Sequence, residues 1–308
     1  MQVPSETPSP FPAETNTPVP PTPTSTPTLP PLPEIFHPKS LLTDVEPVRY
    51  LSDSCQYLAD RWGEGKAEPG TIVAPIMFHS ISKPGRPILQ NTTINATYFN
   101  QIVARAAFLG FKTITIPQLV EFLKHNTWIP PRSMILIIDD RRPGTVREYF
   151  LPVLEKHDWT VTLAYISGTV PATEWKDLED MAQTGRLDVQ SHGWLHNADT
   201  YFNANTPEDI IHQEIFNPID TLKEHFGYRP TAFIWPGGDF TPHTVEVARE
   251  AGYEVGFTVY SRGPVMYNWI PLGKPEESVN DPLMVLPRFW SPAAIPNLNS
   301  AVQVGEEA

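Results

Sequence analysis

Met134-Ile135-Leu136-Ile137-Ile138 contains no polar residue, so a strand made from it must be covered on both faces. That requirement points to a parallel sheet flanked by helices. The rest of the chain agrees. Strand patterns at 71–78, 112–116, 161–166, 187–190, 232–235, 255–259 and 284–288 alternate with helical patterns. The helical patterns lie at 97–109, 118–125, 146–157, 174–184, 206–226 and 241–252. Pro152 should kink the third of these, and Asn217-Pro218 should bend the fifth. Thr206 with Pro207 reads as the N-cap and first position of the fifth. Regular alternation of this kind builds a barrel or a doubly wound sheet.

The two ends differ from this middle. Residues 1–38 hold 13 of the 36 prolines and run through Pro-Thr repeats, so they read as a disordered, extended spacer. Residues 39–70 read as a helical lead-in packed on the outside, and 71–295 as the main folded unit. Residues 296–308 read as an acidic tail. A Pro/Thr spacer suits a domain held away from a membrane or wall. We therefore expect an extracellular or cell-surface protein, with the export or anchor segment lying outside this chain. No apolar run approaches the roughly 20 residues of a membrane helix. A formal charge of −13 argues against a nucleic-acid partner, because a phosphate backbone would be repelled. Cys55 is the single cysteine, which excludes an internal disulfide and a cysteine zinc site.

The chemistry-bearing residues follow two of the strands. Asp139-Asp140 ends the apolar run, and Ser191-His192-Gly193-Trp194-Leu195-His196 follows the strand at 187–190. Two histidines and one carboxylate, with positions left open, suit a catalytic divalent cation. The second carboxylate is then placed to take a proton from water. Taken singly, an Asp-Asp after a strand is a solvated turn and a His-x-x-x-His is incidental. Together, each just after a predicted strand, they point to metal-assisted hydrolysis.

Residues 70–295 resemble the polysaccharide deacetylase family, carbohydrate esterase family 4, whose domain is also called NodB-homologous. The resemblance rests on Asp139-Asp140, on His192 and His196, on Phe233-Ile234-Trp235-Pro236-Gly237-Gly238 and on the stretch 251–259. It implies a distorted (β/α)7-type barrel, with Asp139 as base and Asp140, His192 and His196 as metal ligands. The implied metal is Zn²⁺ first, with Co²⁺ or Ni²⁺ as alternatives. Pro75-Ile76-Met77-Phe78-His79 is similar to the Met-Tyr-His stretch of a subgroup that includes poly-N-acetylglucosamine deacetylases. Leu286-Pro287-Arg288 stands where other members carry Leu-x-His, so the resemblance points to His79 as the acid. The other reading of His79 is a buried structural histidine. Two positions depart from the family pattern. Arg141 replaces the glycine after Asp-Asp, and Gly237 replaces a tyrosine.

By this resemblance the chain removes N-acetyl groups from an N-acetylglucosamine-containing polysaccharide, acting as a monomer. Arg288 would orient Asp139, the Gly237 N–H would hold the oxyanion, and Trp194, Trp235 and Trp290 would stack on sugar faces. Two alternatives stay open: a degenerate glycan-binding member, favoured by Arg141 and Gly237, and a hydrolase of a small non-sugar amide in a closed pocket.

Overall fold

In the computed structural model of the protein, which describes Met1 and residues 30–83, 85–88, 90–196 and 201–308, the run at 134–138 is the middle of a curled parallel sheet. Its strands are β1 (Ile72–Phe78), β2 (Arg132–Asp139), β3 (Val161–Tyr165), β4 (Leu187–Ser191), β5 (Ala232–Ile234), β6 (Val255–Phe257) and β7 (Phe289–Trp290). They lie side by side in the order β6-β5-β4-β3-β2-β1-β7, and every pair is parallel. A two-residue strand, Lys112–Thr113, adds to the start of β2.

The sheet closes on itself through the segment before β7. Leu286 bridges Phe257 in parallel, with Thr258 N–H donating to Leu286 O (2.9 Å) and Leu286 N–H to Gly256 O (2.8 Å). Three residues on, Phe289 and Trp290 pair with Ile76 and Met77 of β1. The result is the distorted seven-stranded barrel expected from the sequence. The continuous strand expected at 284–288 is not formed. Pro282 opens a 3₁₀ turn over Pro282–Met284, and Pro287 has no N–H for a ladder, so pairing is confined to Leu286 and β7.

The helices cover the outside: α1 (Ser54–Trp62), α2 (Ala96–Phe108), α3 (Ile116–His125), α4 (Leu151–His157), α5 (Ala172–Ala182), α6 (Glu208–Phe226), α7 (Pro242–Glu250) and α8 (Ala294–Glu307). Pro152 is accommodated in a specific way. The turn before it, Val146–Phe150, is π-helical, and Leu151 N–H reaches back to Val146 O. That widened turn accommodates a proline with no donor of its own. Pro218 is accommodated inside the unbroken α6. Thr206 does not cap α6. Its hydroxyl binds the Asn203 N–H and Tyr201 O instead, and Pro207 takes the cap position without a side-chain bond.

Two expectations about the ends are corrected. Residues 296–308 are not a free tail. They lie within α8 and its cap, which bury Leu298, Ala301, Val302 and Val304 against the barrel. Gly70 and Gly305 make this approach possible, since a Cβ on Gly70 would stand 2.3 Å from Gly305 O and one on Gly305 2.7 Å from Gly70 O. The glutamates that suggested a tail face outward, where Glu306 pairs with Arg132 at 2.9 Å. At the other end, residues 2–29 of the expected spacer lie outside the described residues, but its last part docks. Trp269 Nε1 donates to Phe36 O (2.8 Å), Arg49 Nη1 to Pro33 O (2.9 Å), and the Phe36 and Trp269 rings are 6.1 Å apart. The lead-in at 39–70 contributes α1 and a strand, Glu46–Val48, paired antiparallel to Ile270–Leu272.

Deleting residues 2–29 should therefore leave the melting temperature unchanged, whereas Phe36→Ala should lower stability by about 1–2 kcal/mol for a half-buried ring. Thermal unfolding of both variants checks this. An unshifted midpoint in Phe36→Ala would mean that the docked segment holds nothing.

Candidate active site

Because all seven strands are parallel, their C-terminal ends share one rim, and the residues singled out in the sequence gather there. His79 follows β1, Asp139 ends β2, Ser191-His192 ends β4, Pro236-Gly237 follows β5 and Arg288 precedes β7.

Backbone geometry separates the two aspartates. Asp140 has φ +71°, a left-handed conformation that aspartate tolerates better than most residues. The turn leaves Asp139 buried within the barrel mouth and Asp140 half-buried at its edge. One Asp140 oxygen and one nitrogen each from His192 and His196 lie within 4.8 Å of one another. His192 Nε2 is 3.9 Å from Asp140 Oδ1. The other ring nitrogen of His192, Nδ1, faces Ile234 O at 2.8 Å, which fixes the tautomer and leaves the Nε2 lone pair for the rim. Burial drives the His192 imidazolium pKa down to about 4, against the opposing pull of Asp139, so the ring is neutral at physiological pH. Two imidazoles and a carboxylate converging on one point fit a Zn²⁺-type cation.

Asp139 is tied differently. Arg288 Nη1 donates to Asp139 Oδ1 at 2.6 Å, and Arg288 Nε donates to Thr258 O at 2.7 Å, with both side chains buried. On the other carboxylate oxygen, Oδ2, His79 Nε2 stands 3.8 Å away and His192 Nε2 3.9 Å away. Burial pushes the Asp139 carboxyl up, but Arg288, with His192 and His79, outweighs it and holds the pKa below the usual carboxylate range. The site thus keeps an ionised, oriented carboxylate beside three converging ligand atoms.

The sequence reading missed Glu214. From α6 its carboxylate accepts the backbone N–H groups of Trp194 (2.8 Å) and Leu195 (2.9 Å), with His196 N–H further off at 3.4 Å. It thereby fixes the turn that aims His196, whose own φ is +48°. Gly193 is required in that turn, since a Cβ there would stand 2.5 Å from Glu214 Oε2. The available signal was a carboxylate within the stripe Ile211, Ile215, Pro218, Ile219 and Leu222. Tyr201 was missed too. A Cβ on Gly237 would meet its ring at 3.1 Å, and the same ring stands edge-on to His196 at 5.2 Å. The space that a side chain at 237 would enter is filled from another loop.

Trp235 does not belong to a sugar platform. Trp235 is wholly buried, with Nε1 donating to Met284 O (2.7 Å) and its ring packed among Phe202, Phe233 and Phe240, so the expected stacking role is withdrawn. A core indole with a satisfied N–H is what that position requires. Trp194 is half-buried with its ring over Gly168, and Trp290 donates to Val259 O. Arg141 does not crowd the base. Its Nε donates to Ile166 O (2.9 Å), and Arg141 is not among the groups that act on the Asp139 carboxyl.

This is a (β/α)-barrel with a two-histidine, one-aspartate metal-type rim and a buried carboxylate beside it. Residues 129–256 match the sequence model of the family described as polysaccharide deacetylase. The match includes Asp139, Asp140, His192, His196 and Gly237; His79 and Arg288 lie outside it and are joined to them by the fold. Poly-beta-1,6-N-acetyl-D-glucosamine N-deacetylase of Escherichia coli O157:H7 is 19% identical over 193 residues, covering 49% of this chain and 29% of that protein. The chain thus spans less than a third of the curated relatives it matches. Among solved structures, the deacetylase PplD of Streptococcus pyogenes superposes with a TM-score of 0.62 at 20% identity, over 76% of this chain and 99% of that one. IcaB of Ammonifex degensii gives 0.56 at 19% identity, over 75% and 99%.

Proposed function

We propose that the protein is a metal-dependent N-deacetylase of an N-acetylglucosamine-containing polysaccharide. The observation that carries this reading is the pairing of a ligand triad, Asp140, His192 and His196, with a separate buried carboxylate held ionised by Arg288. The relatives named for deacetylation of poly-N-acetylglucosamine supply the substrate class. When bound, a divalent cation, Zn²⁺ first and Co²⁺ or Ni²⁺ as alternatives, supplies Lewis-acid polarisation of the acetamide and lowers the pKa of water.

The chain's own residues do the rest. Asp139 takes the proton of the attacking water, and Arg288 keeps that carboxylate ionised and in place. The Gly237 N–H, on the turn after β5, is the chain's own donor for the developing oxyanion in this reading. His79, next to Asp139, gives a proton to the departing amine, so that acetate and a free amino sugar leave. An open cleft of about 570 Å³ beside Asp140 and His196 suits a polymer better than the closed pocket a small amide would need. The catalytic unit is 71–295 with α8 closing its back and 39–70 as lead-in, and it works as a monomer. An extracellular or cell-surface location follows from the substrate. Among the described residues no helix is long and apolar enough to cross a membrane.

Acetate release from chitin oligomers, peptidoglycan and poly-N-acetylglucosamine tests the reading. Release from at least one glycan is expected. Tight glycan binding with no release from any would favour the degenerate binding member instead. His79→Ala should lower kcat roughly 10²–10⁴-fold with KM little changed. Near-wild-type turnover in that variant would assign His79 a structural place beside Asp139 and leave the amine's proton to another donor.

A further inference from the structure

Two consecutive arginines stand immediately after a metal-type ligand, and they face an open cleft. Asp140, Arg141, Arg142, Thr169 and His196 line it. Arg141 is half-buried, and its Nε is fixed by the Ile166 carbonyl. That bond sets the plane of the guanidinium and leaves both Nη groups directed elsewhere. Among the described residues no carboxylate pairs with Arg141. Arg142 holds Asp140 Oδ2 at 3.2 Å, and its own Nε is buried without a partner among the described residues. At this edge Arg142 meets the one carboxylate that lines the cleft, and Arg141 stands beside it with none among the described residues, on a chain whose formal charge is −13. A local positive edge on an acidic protein needs an explanation, and neither arginine takes part in the hydrolysis described above. An anchored guanidinium with both Nη groups available is the geometry that recognises a carboxylate or phosphate bidentately.

We propose that Arg141, backed by Arg142, forms an anion subsite beside the reaction centre, and that the glycan bound there carries an anionic substituent on a sugar adjacent to the acetylated one. This deepens, and rests on, the deacetylase reading, because it names the substrate class for the same rim.

The test is equilibrium binding in the Asp139→Asn background, so that nothing is consumed. Three oligomers of equal length are compared: neutral N-acetylglucosamine, one with a carboxylate on the neighbouring sugar, and one with a phosphate there. At least one anionic oligomer should bind roughly tenfold tighter than the neutral one, as a charge-assisted pair gives. Whichever anion gains identifies the source. Arg141→Gln should bring the ratio to about one, Arg141→Lys should retain part of it, and added NaCl should erode it. No preference in the parent, or a preference that survives Arg141→Gln, overturns the proposal. Acetate release by the wild-type protein is measured alongside. Release without any anion preference defeats the subsite and leaves the deacetylase reading standing. An Arg141-dependent preference without release from any oligomer does the reverse.

Discussion

Asp139→Asn is expected to lower kcat by roughly 10²–10⁴-fold while metal content stays at one equivalent. The amide keeps the shape of the carboxylate and can still meet Arg288, but it cannot accept a proton. Asp140→Asn should behave differently, because its oxygen is one of the three converging ligand atoms. It should lose metal and turnover together, as should His192→Ala and His196→Ala. Metal analysis after dialysis against chelator, run with acetate release, separates the two outcomes. Equal metal loss in Asp139→Asn and Asp140→Asn would show that the roles of the neighbours are exchanged.

Arg288→Met should be the most destabilising single change at the rim, by about 3–5 kcal/mol at neutral pH. The guanidinium is wholly buried, its Nη1 pairs with Asp139, and its Nε with the Thr258 carbonyl. Removing it leaves an uncompensated carboxylate in the barrel mouth. The pH dependence follows from the same pair. The folded-state pKa of Asp139 is depressed, so the stability this pair contributes is present above the ordinary carboxylate range. It is lost as pH falls through the folded value. Without Arg288 the largest remaining influence on Asp139 is burial, which raises its pKa. The acid limb of kcat/KM should therefore move to higher pH. Urea unfolding of wild type and variant at neutral and acid pH measures the first effect. A difference between them that does not shrink toward low pH would contradict the assignment.

The parts of this molecule that were legible in the sequence are those written in short-range patterns. The run at 134–138 identified a strand with two covered faces, and Asp139-Asp140 with His192 and His196 identified a rim where strands end. What was not legible depends on contacts between distant segments. The segment leading into the last strand carries prolines at 282 and 287 that forbid a regular ladder, so its pairing is visible only once Leu286 meets Phe257. The final thirteen residues look like a tail because their glutamates are conspicuous, while the burying face of α8 is small and aliphatic. Trp235 sits beside the catalytic turn in sequence, yet its side chain points into the core. Glu214 lies 18 residues from His196 and reaches its backbone only through the packing of α6 on the β4 loop. Tyr201 fills the space over Gly237 from a different loop, which no local pattern announces. Arg141 was readable as a departure, but its direction, toward Ile166 and the cleft, depends on the turn made by the φ of +71° at Asp140.

Zn²⁺ titration of chelator-treated protein, with acetate release from poly-N-acetylglucosamine as the readout, tests the central claim most directly. The account expects almost no release before addition, a rise in proportion to Zn²⁺, and a plateau at one equivalent that is absent in His196→Ala. Full release by the chelated protein, or none at any Zn²⁺ level, would contradict it.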